Sequence, residues 1–215
     1  MSTLSQFPTL LLGTYNTGKL REIQTILVDI PWRIRSLREF ADIGVATENG
    51  DTYAANAIAK AQFYARATGL CALADDSGLE VEALGGAPGV FSARYAGAGA
   101  SDADRRKLLL SELADVPSEK RKARFVCVVA IAAPDGSMLN TSEGVCNGMI
   151  AFEPRGEGGF GYDPLFVPDG FEQTFAELAD SIKNRISHRA RALIGMREFL
   201  TSERALSLRL SGRCS

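Results

Sequence analysis

The chain has 215 residues, a formal net charge of -2, and ordinary globular proportions of 46% hydrophobic and 23% charged residues. Its length supports a substantial core without disulfide staples, as one large α/β domain or two packed lobes. The charge balance supplies no general basic field for gripping a nucleic-acid polymer, so an anionic ligand must be met locally. Cys71, Cys127, Cys146 and Cys214 form no C-x-x-C pair and read as reduced packing residues, and with a single histidine in the chain a structural zinc site is not indicated. The N-terminus lacks a basic n-region, and no stretch is apolar for long enough to span a membrane, which points to a soluble cytoplasmic protein with no membrane partner.

Thr9 to Leu12 reads as a buried strand, Gly13 to Gly18 as a loop, and Lys19 to Leu27, with Leu20, Ile23, Ile26 and Leu27 in helical spacing, as a helix. Trp32 to Leu37 alternates weakly and is read as a second strand. Thr52 caps an alanine-rich amphipathic helix that ends near Gly69, where glycine can take the left-handed conformation. Cys71 to Ala74 is a short apolar strand, Asp75 to Gly78 an acidic turn, and Leu79 to Leu84 alternates as a strand does. Gly85 to Gly99 reads as an ordered glycine-rich loop around Ser92, Arg94 and Tyr95. A helix is expected over Asp104 to Leu113, and a long strand over Arg124 to Ala133 turns at Pro134-Asp135-Gly136 into a returning strand. Gly156 to Pro168 is again rich in glycine and aromatics. Asp180 is expected to cap a last helix running to Phe199, and the last dozen residues read as a frayed tail.

Two motifs carry chemistry. Gly13 to Lys19 satisfies G-x-x-x-x-G-K between a strand and a helix, where free backbone N–H groups, the helix dipole and the Lys19 charge suit a phosphate. A true Walker loop would follow the lysine with Ser or Thr to hold Mg²⁺, and here Leu20 stands there, so the metal must be held elsewhere. The adjacent carboxylates of Asp75 and Asp76 are suited to Mg²⁺, which takes hard oxygen ligands, keeps waters and accepts substrate phosphates, and they can divide metal binding from activation of a water. Each motif has a plain alternative: a glycine-containing turn with a solvated lysine, and a solvated acidic turn. A P-loop-like phosphotransferase, with Cys71 to Asp75 imitating Walker B, and a nucleotide-sensing protein without catalysis are the competing functions.

Five blocks then occur in order: Thr14 to Glu22, Ala74 to Leu79, Gly85 to Tyr95, Gly159 to Pro164, and Ser187-His188-Arg189. Together they closely resemble the inosine/xanthosine triphosphate pyrophosphatase family, hydrolases of non-standard purine nucleotides. The resemblance runs from Leu12 to about Leu193, and the whole chain, 1–215, is read as a single domain of this kind. It implies an α/β fold with a mixed central sheet flanked by helices, two lobes enclosing a nucleotide cleft, and a homodimer. It implies Mg²⁺-dependent cleavage of ITP, dITP or XTP to the monophosphate and pyrophosphate. Thr14, Tyr15, Asn16, Thr17, Gly18 and Lys19 would hold the phosphates, Asp76 would be base and metal ligand, and Ser77 would contact substrate. Phe160, Gly161, Tyr162, Asp163, Lys183, His188 and Arg189 would complete the nucleotide pocket. Lys183 would help Lys19 neutralise the triphosphate, Arg189 or a backbone N–H would recognise the base, and Phe160 or Tyr162 would stack on it unless these rings are core. The chain departs from the family in one place: the expected metal-binding glutamate, three residues before Gly50, is Thr47. Glu48 or, failing it, Asp75 is the second ligand.

Overall fold

The computed structural model describes residues 7–40 and 43–210, with side chains through 208. The first strand, β1 (Thr9–Leu12), has three fully buried leucines, as its apolar run predicts. Helix α1 (Thr17–Ile26) starts two residues earlier than its apolar spacing suggests, because the Asn16 side chain accepts from the Lys19 N–H and so caps the helix. It leads to β2 (Arg33–Ser36), which pairs parallel with β1. Helix α2 (Tyr53–Thr68) has the expected ends: the Thr52 side chain accepts from the Ala55 N–H, and Gly69 closes the helix at φ 68°.

The largest departure from expectation is β3 (Cys71–Val81), one continuous strand that includes Asp75, Asp76, Ser77 and Gly78. The acidic turn is therefore not a turn. Both carboxylates are buried and ion-paired, so their charge does not force the chain out into water. The strand stops at Val81 and not at Leu84, because Glu82–Leu84 forms a 3-10 turn. The glycine-rich loop after it is ordered, with a further 3-10 segment at Gly89–Arg94.

Helix α3 (Asp102–Glu112), capped by Ser101, precedes β4 (Lys122–Ala132) and β5 (Met138–Ile150), and the short β6 (Phe166–Pro168) pairs antiparallel with β5. The expected single last helix is broken into α4 (Asp180–Ile186) and α5 (His188–Leu200). Ser187 makes the break: its N–H closes α4 on the Lys183 carbonyl, and its hydroxyl accepts from the Ala190 N–H to cap α5. Asp180 lies inside α4, after Ala179, and is not its cap. Part of the expected tail is helical, forming α6 (Glu203–Leu210); the remainder, residues 211–215, lies outside the described residues.

The sheet is mixed, in the order β2-β1-β3-β4-β5-β6, with β1 parallel to both neighbours. The chain divides into two compact units: one takes the chain up to Asp76, Val128–Glu143 and the chain from Ala192, the other Ser77–Cys127 and Gly144–Arg191. The first has its core in the β1 leucines, Ile23, Leu27, Leu37, Leu73 and the small residues of α2, with the Trp32 indole donating to the Leu200 carbonyl. The second packs Leu79, Val81, Leu109, Phe125, Leu165, Phe166 and Phe175 into one cluster. Cys127 and Cys146 are free and buried, whereas Cys71 is disulfide-bonded, a correction that spacing along the chain could not supply. Among the described residues, no helix is long and apolar enough to cross a membrane.

Candidate active site

In the first unit, one face of α2 decides the electrostatics. Its buried positions are Tyr53, Asn56, Ala57, Lys60, Ala61, Tyr64 and Ala65, an apolar stripe interrupted by an amide and an ammonium one turn apart. Both serve Asp76. The Asn56 amide donates to Asp76 Oδ2 at 3.0 Å, and Lys60 Nζ lies 3.4 Å from Asp76 Oδ1 and 2.7 Å from Glu48 Oε1. Glu48 and Asp76 thus share one cation. Asn56 also donates to the Gly50 carbonyl and accepts from its N–H, which ties the Glu48 segment to the same helix. A Cβ on Gly50 would lie 2.9 Å from the Asn56 oxygen, so only glycine permits this approach.

Burial raises the Asp76 carboxyl above the usual aspartate range, although Lys60, Lys19 and the Asn56 amide pull the other way. For Lys60 burial disfavours the charge, but the carboxylates of Asp76, Asp75 and Glu48 outweigh it and raise the ammonium above its ordinary value. Asp75, on the next position of β3, is paired with Lys19 at 3.0 Å. Lys19 stands in the first turn of α1, Asn16 is spent on capping it, and the Thr14 hydroxyl accepts from the Asn16 N–H. Tyr15 is partly exposed and donates to the Ile43 carbonyl, while Thr17 and Gly18 open the helix. Gly13 has a packing reason of its own, since a Cβ there would meet Tyr64 at 2.8 Å.

In the second unit, Arg189 is buried and donates to the Ser77 hydroxyl at 2.9 Å. Its guanidinium lies 5.5 Å from the centre of the Phe160 ring, and the Lys183 ammonium lies 5.0 Å from it. Lys183 is ion-paired with Asp163 at 2.5 Å, and the same Asp163 oxygen accepts from the Phe160 N–H, so the Gly159–Asp163 turn is wound around one buried carboxylate. Tyr162 is core: it belongs to the hydrophobic cluster, and its hydroxyl donates to the Ser92 carbonyl, which removes it as a stacking surface. Phe160 is only partly buried. His188 stacks flat on Phe125, with centroids 4.5 Å apart and planes within 10°.

Neither the phosphate-loop pattern nor the acidic pair of the sequence points to Asn56 or Lys60. For Asn56 and Lys60 a signal exists, namely two polar residues four apart in the apolar stripe of a helix. Among the described residues, no three His, Cys, Asp or Glu side chains gather into a metal cluster.

The family model for the Ham1 family matches residues 10–199. The chain belongs to the Ham1 family. Its Ham1 relatives include a protein of Desulforamulus reducens named dITP/XTP pyrophosphatase, 51% identical over 191 residues that cover 89% of this chain and 94% of that protein. Another, of the same name from Desulfotalea psychrophila, is 52% identical over 186 residues, 86% of this chain and 82% of the relative. Among solved structures, a HAM1 protein from Coxiella burnetii superposes with a TM-score of 0.82 at 43% identity, over 91% of this chain and 99% of that one. The family resemblance carried by the five sequence blocks is borne out.

Proposed function

We propose that this Ham1 chain hydrolyses the triphosphates of non-standard purine nucleosides, ITP, dITP and XTP, to the monophosphate and pyrophosphate, and so cleanses the nucleotide pool. The observation that carries this reading is its high identity, over nearly the whole chain, to relatives named dITP/XTP pyrophosphatase. The P-loop alternative loses its ground twice, because Leu20 is buried after Lys19 and the Walker B candidate Asp75 is bound to that lysine.

Mg²⁺ is the proposed cofactor, and the residues fit it. Glu48 and Asp76 converge on one cation, the Lys60 ammonium, and Mg²⁺ asks for only one or two protein carboxylates when substrate phosphates and water complete its shell. Glu48 is thereby favoured over Asp75, whose charge is engaged by Lys19. Held by Glu48 and Asp76, the ion would supply positive charge to the phosphate oxygens. Asp76 accepts the proton of the attacking water, and the burial that raises its pKa makes it the stronger base. Lys19 and the N–H groups of Thr17 and Gly18 hold the phosphates, with Thr14, Tyr15 and Asn16 shaping the loop.

Arg189, its geometry fixed by Ser77, is the proposed donor to the base. A donor aimed at position six bonds the keto oxygen of hypoxanthine or xanthine but faces an amino group in adenine. Phe160 stacks on the purine and His188 borders it. Lys183 braces the Phe160 turn through its ion pair with Asp163 and helps Lys19 to neutralise the triphosphate. The protein works in the cytoplasm as a homodimer.

The test is pyrophosphate release from dITP, XTP, dATP and ATP with Mg²⁺ or with a chelator. The expected outcome is monophosphate plus pyrophosphate from dITP and XTP, at least about 100-fold faster than from dATP, and no turnover with chelator. Equal rates on dITP and dATP would refute the reading, and ADP from ATP would support a phosphotransferase.

A further inference from the structure

The first two turns of α3 grip a single residue of the Gly159–Asp163 turn from both sides. Asp102 Oδ2 accepts from the Gly161 N–H at 2.8 Å, and Arg106 Nη1, one helical turn further on, donates to the Gly161 carbonyl at 2.7 Å. Gly161 sits at φ 62°, a conformation open to glycine and costly for other residues, and hydrogen bonds to ionised groups at both its donor and its acceptor fix the peptides on either side of it more firmly than neutral partners would. The second oxygen of Asp102 pairs with Arg105, and Arg105 Nη1 donates to the carbonyls of Ala93 and Ala100 at 2.9 and 2.7 Å.

The same turn is tied to β3 by a second route. Tyr162 donates to the Ser92 carbonyl at 3.0 Å, and the Ser92 hydroxyl accepts at 2.9 Å from the N–H of Leu79, two positions after Ser77. Phe160, immediately before Gly161, is the ring near the Arg189 and Lys183 charges. The orientation of that ring therefore depends on how Gly161 is held, and the helix holding it contains no residue of the family blocks.

We infer that Asp102 and Arg106 are positioning residues for base recognition, which fix Gly161 and through it the Phe160 face presented to the purine. This inference rests on the functional reading above. The Gly161 N–H bond and the neighbouring Arg105 and Arg106 charges favour the ionised Asp102 carboxylate despite its partial burial, so the clasp is charged at neutral pH.

The test compares wild type with Asp102→Ala, Arg106→Ala and Arg106→Lys in two measurements: kcat and KM for dITP and dATP, and amide hydrogen exchange across residues 159–163. Arg106→Ala and Asp102→Ala are expected to raise the KM for dITP about tenfold and to narrow the preference over dATP, with kcat within a few-fold of wild type. Exchange should quicken in the 159–163 turn alone, and Arg106→Lys, which keeps one donor for the Gly161 carbonyl, should restore most of the loss. Unchanged KM, preference and exchange in Arg106→Ala would overturn the inference. So would a collapse of kcat with exchange quickened throughout the chain, which marks a merely structural role. Should wild type release no pyrophosphate from dITP, the functional reading falls, and exchange still decides whether the clasp holds the turn: unaltered protection overturns it and quickening confined to the turn supports it.

Discussion

Asp76 is held from two sides, by an amide and an ammonium, and both partners tolerate an asparagine in its place better than a smaller residue. Asp76→Asn keeps an acceptor for Asn56 and leaves Lys60 its pair with Glu48, so the fold should survive while the proposed proton acceptor is lost. The expected result is a fall in kcat for dITP of at least about 100-fold with a nearly unchanged melting temperature. Turnover close to wild type would remove Asp76 from the chemistry. Cys146 offers a separate test, because burial pushes its thiol up to about 11. A group whose pKa is higher in the folded chain supports folding fully below its unfolded value and loses that support as pH rises through the folded one. Cys146 therefore favours the fold below roughly pH 8.5 and ceases to do so near pH 11. Iodoacetamide at pH 8 should leave it unmodified in the native protein and alkylate it in urea; rapid native labelling would contradict the burial.

At the scale of elements, Ser187 ends one helix and begins the next, and the residue it launches is His188, followed by Arg189. Ser187→Ala should cost about 1 kcal/mol in urea unfolding and raise the KM for dITP, since the first turn of α5 loses its cap. An unchanged urea midpoint would show that the cap contributes nothing. This break also shows where the sequence was legible. The periodic apolar positions of α1 and α2 and the Thr52 and Gly69 caps locate those helices closely, because local chemistry alone decides them. The periodicity across Asp180 to Phe199 is continuous, and only a serine hydroxyl reaching the Ala190 N–H interrupts it, which a hydrophobic pattern does not record. The acidic stretch fails for a different reason. Asp-Asp-Ser-Gly has the composition of a turn, and only the distant partners Lys19 and Lys60 make it affordable as a buried strand. The motifs bring Asp76 and Lys19 forward as candidates, but the pairing of Glu48 with Asp76 through Lys60 requires knowing what α2 faces.

For the whole molecule, each of the two compact units contains its own buried ion pairs, Lys19–Asp75 and Lys60–Asp76 in one and Lys183–Asp163 in the other. Removing one member of such a pair leaves a buried charge, so Lys183→Met should destabilise the protein by about 3 kcal/mol or more, read from urea unfolding, whereas the surface change Arg35→Met should shift it by less than about 1 kcal/mol. Equal effects would deny the burial its weight. The continuity of β3 has a last consequence, which concerns parity. Successive residues of a strand point to opposite faces, and Asp75 and Asp76 accordingly address different cations. Each position carries an odd or even address that substitution leaves intact and a shift by one inverts. Deleting Ala74 would deliver every carboxylate to the wrong neighbour without changing a single charge, and should yield no folded protein by circular dichroism, while Ala74→Ser should fold. This strand can therefore bear a change in what stands along it far more readily than a change in how many residues stand there.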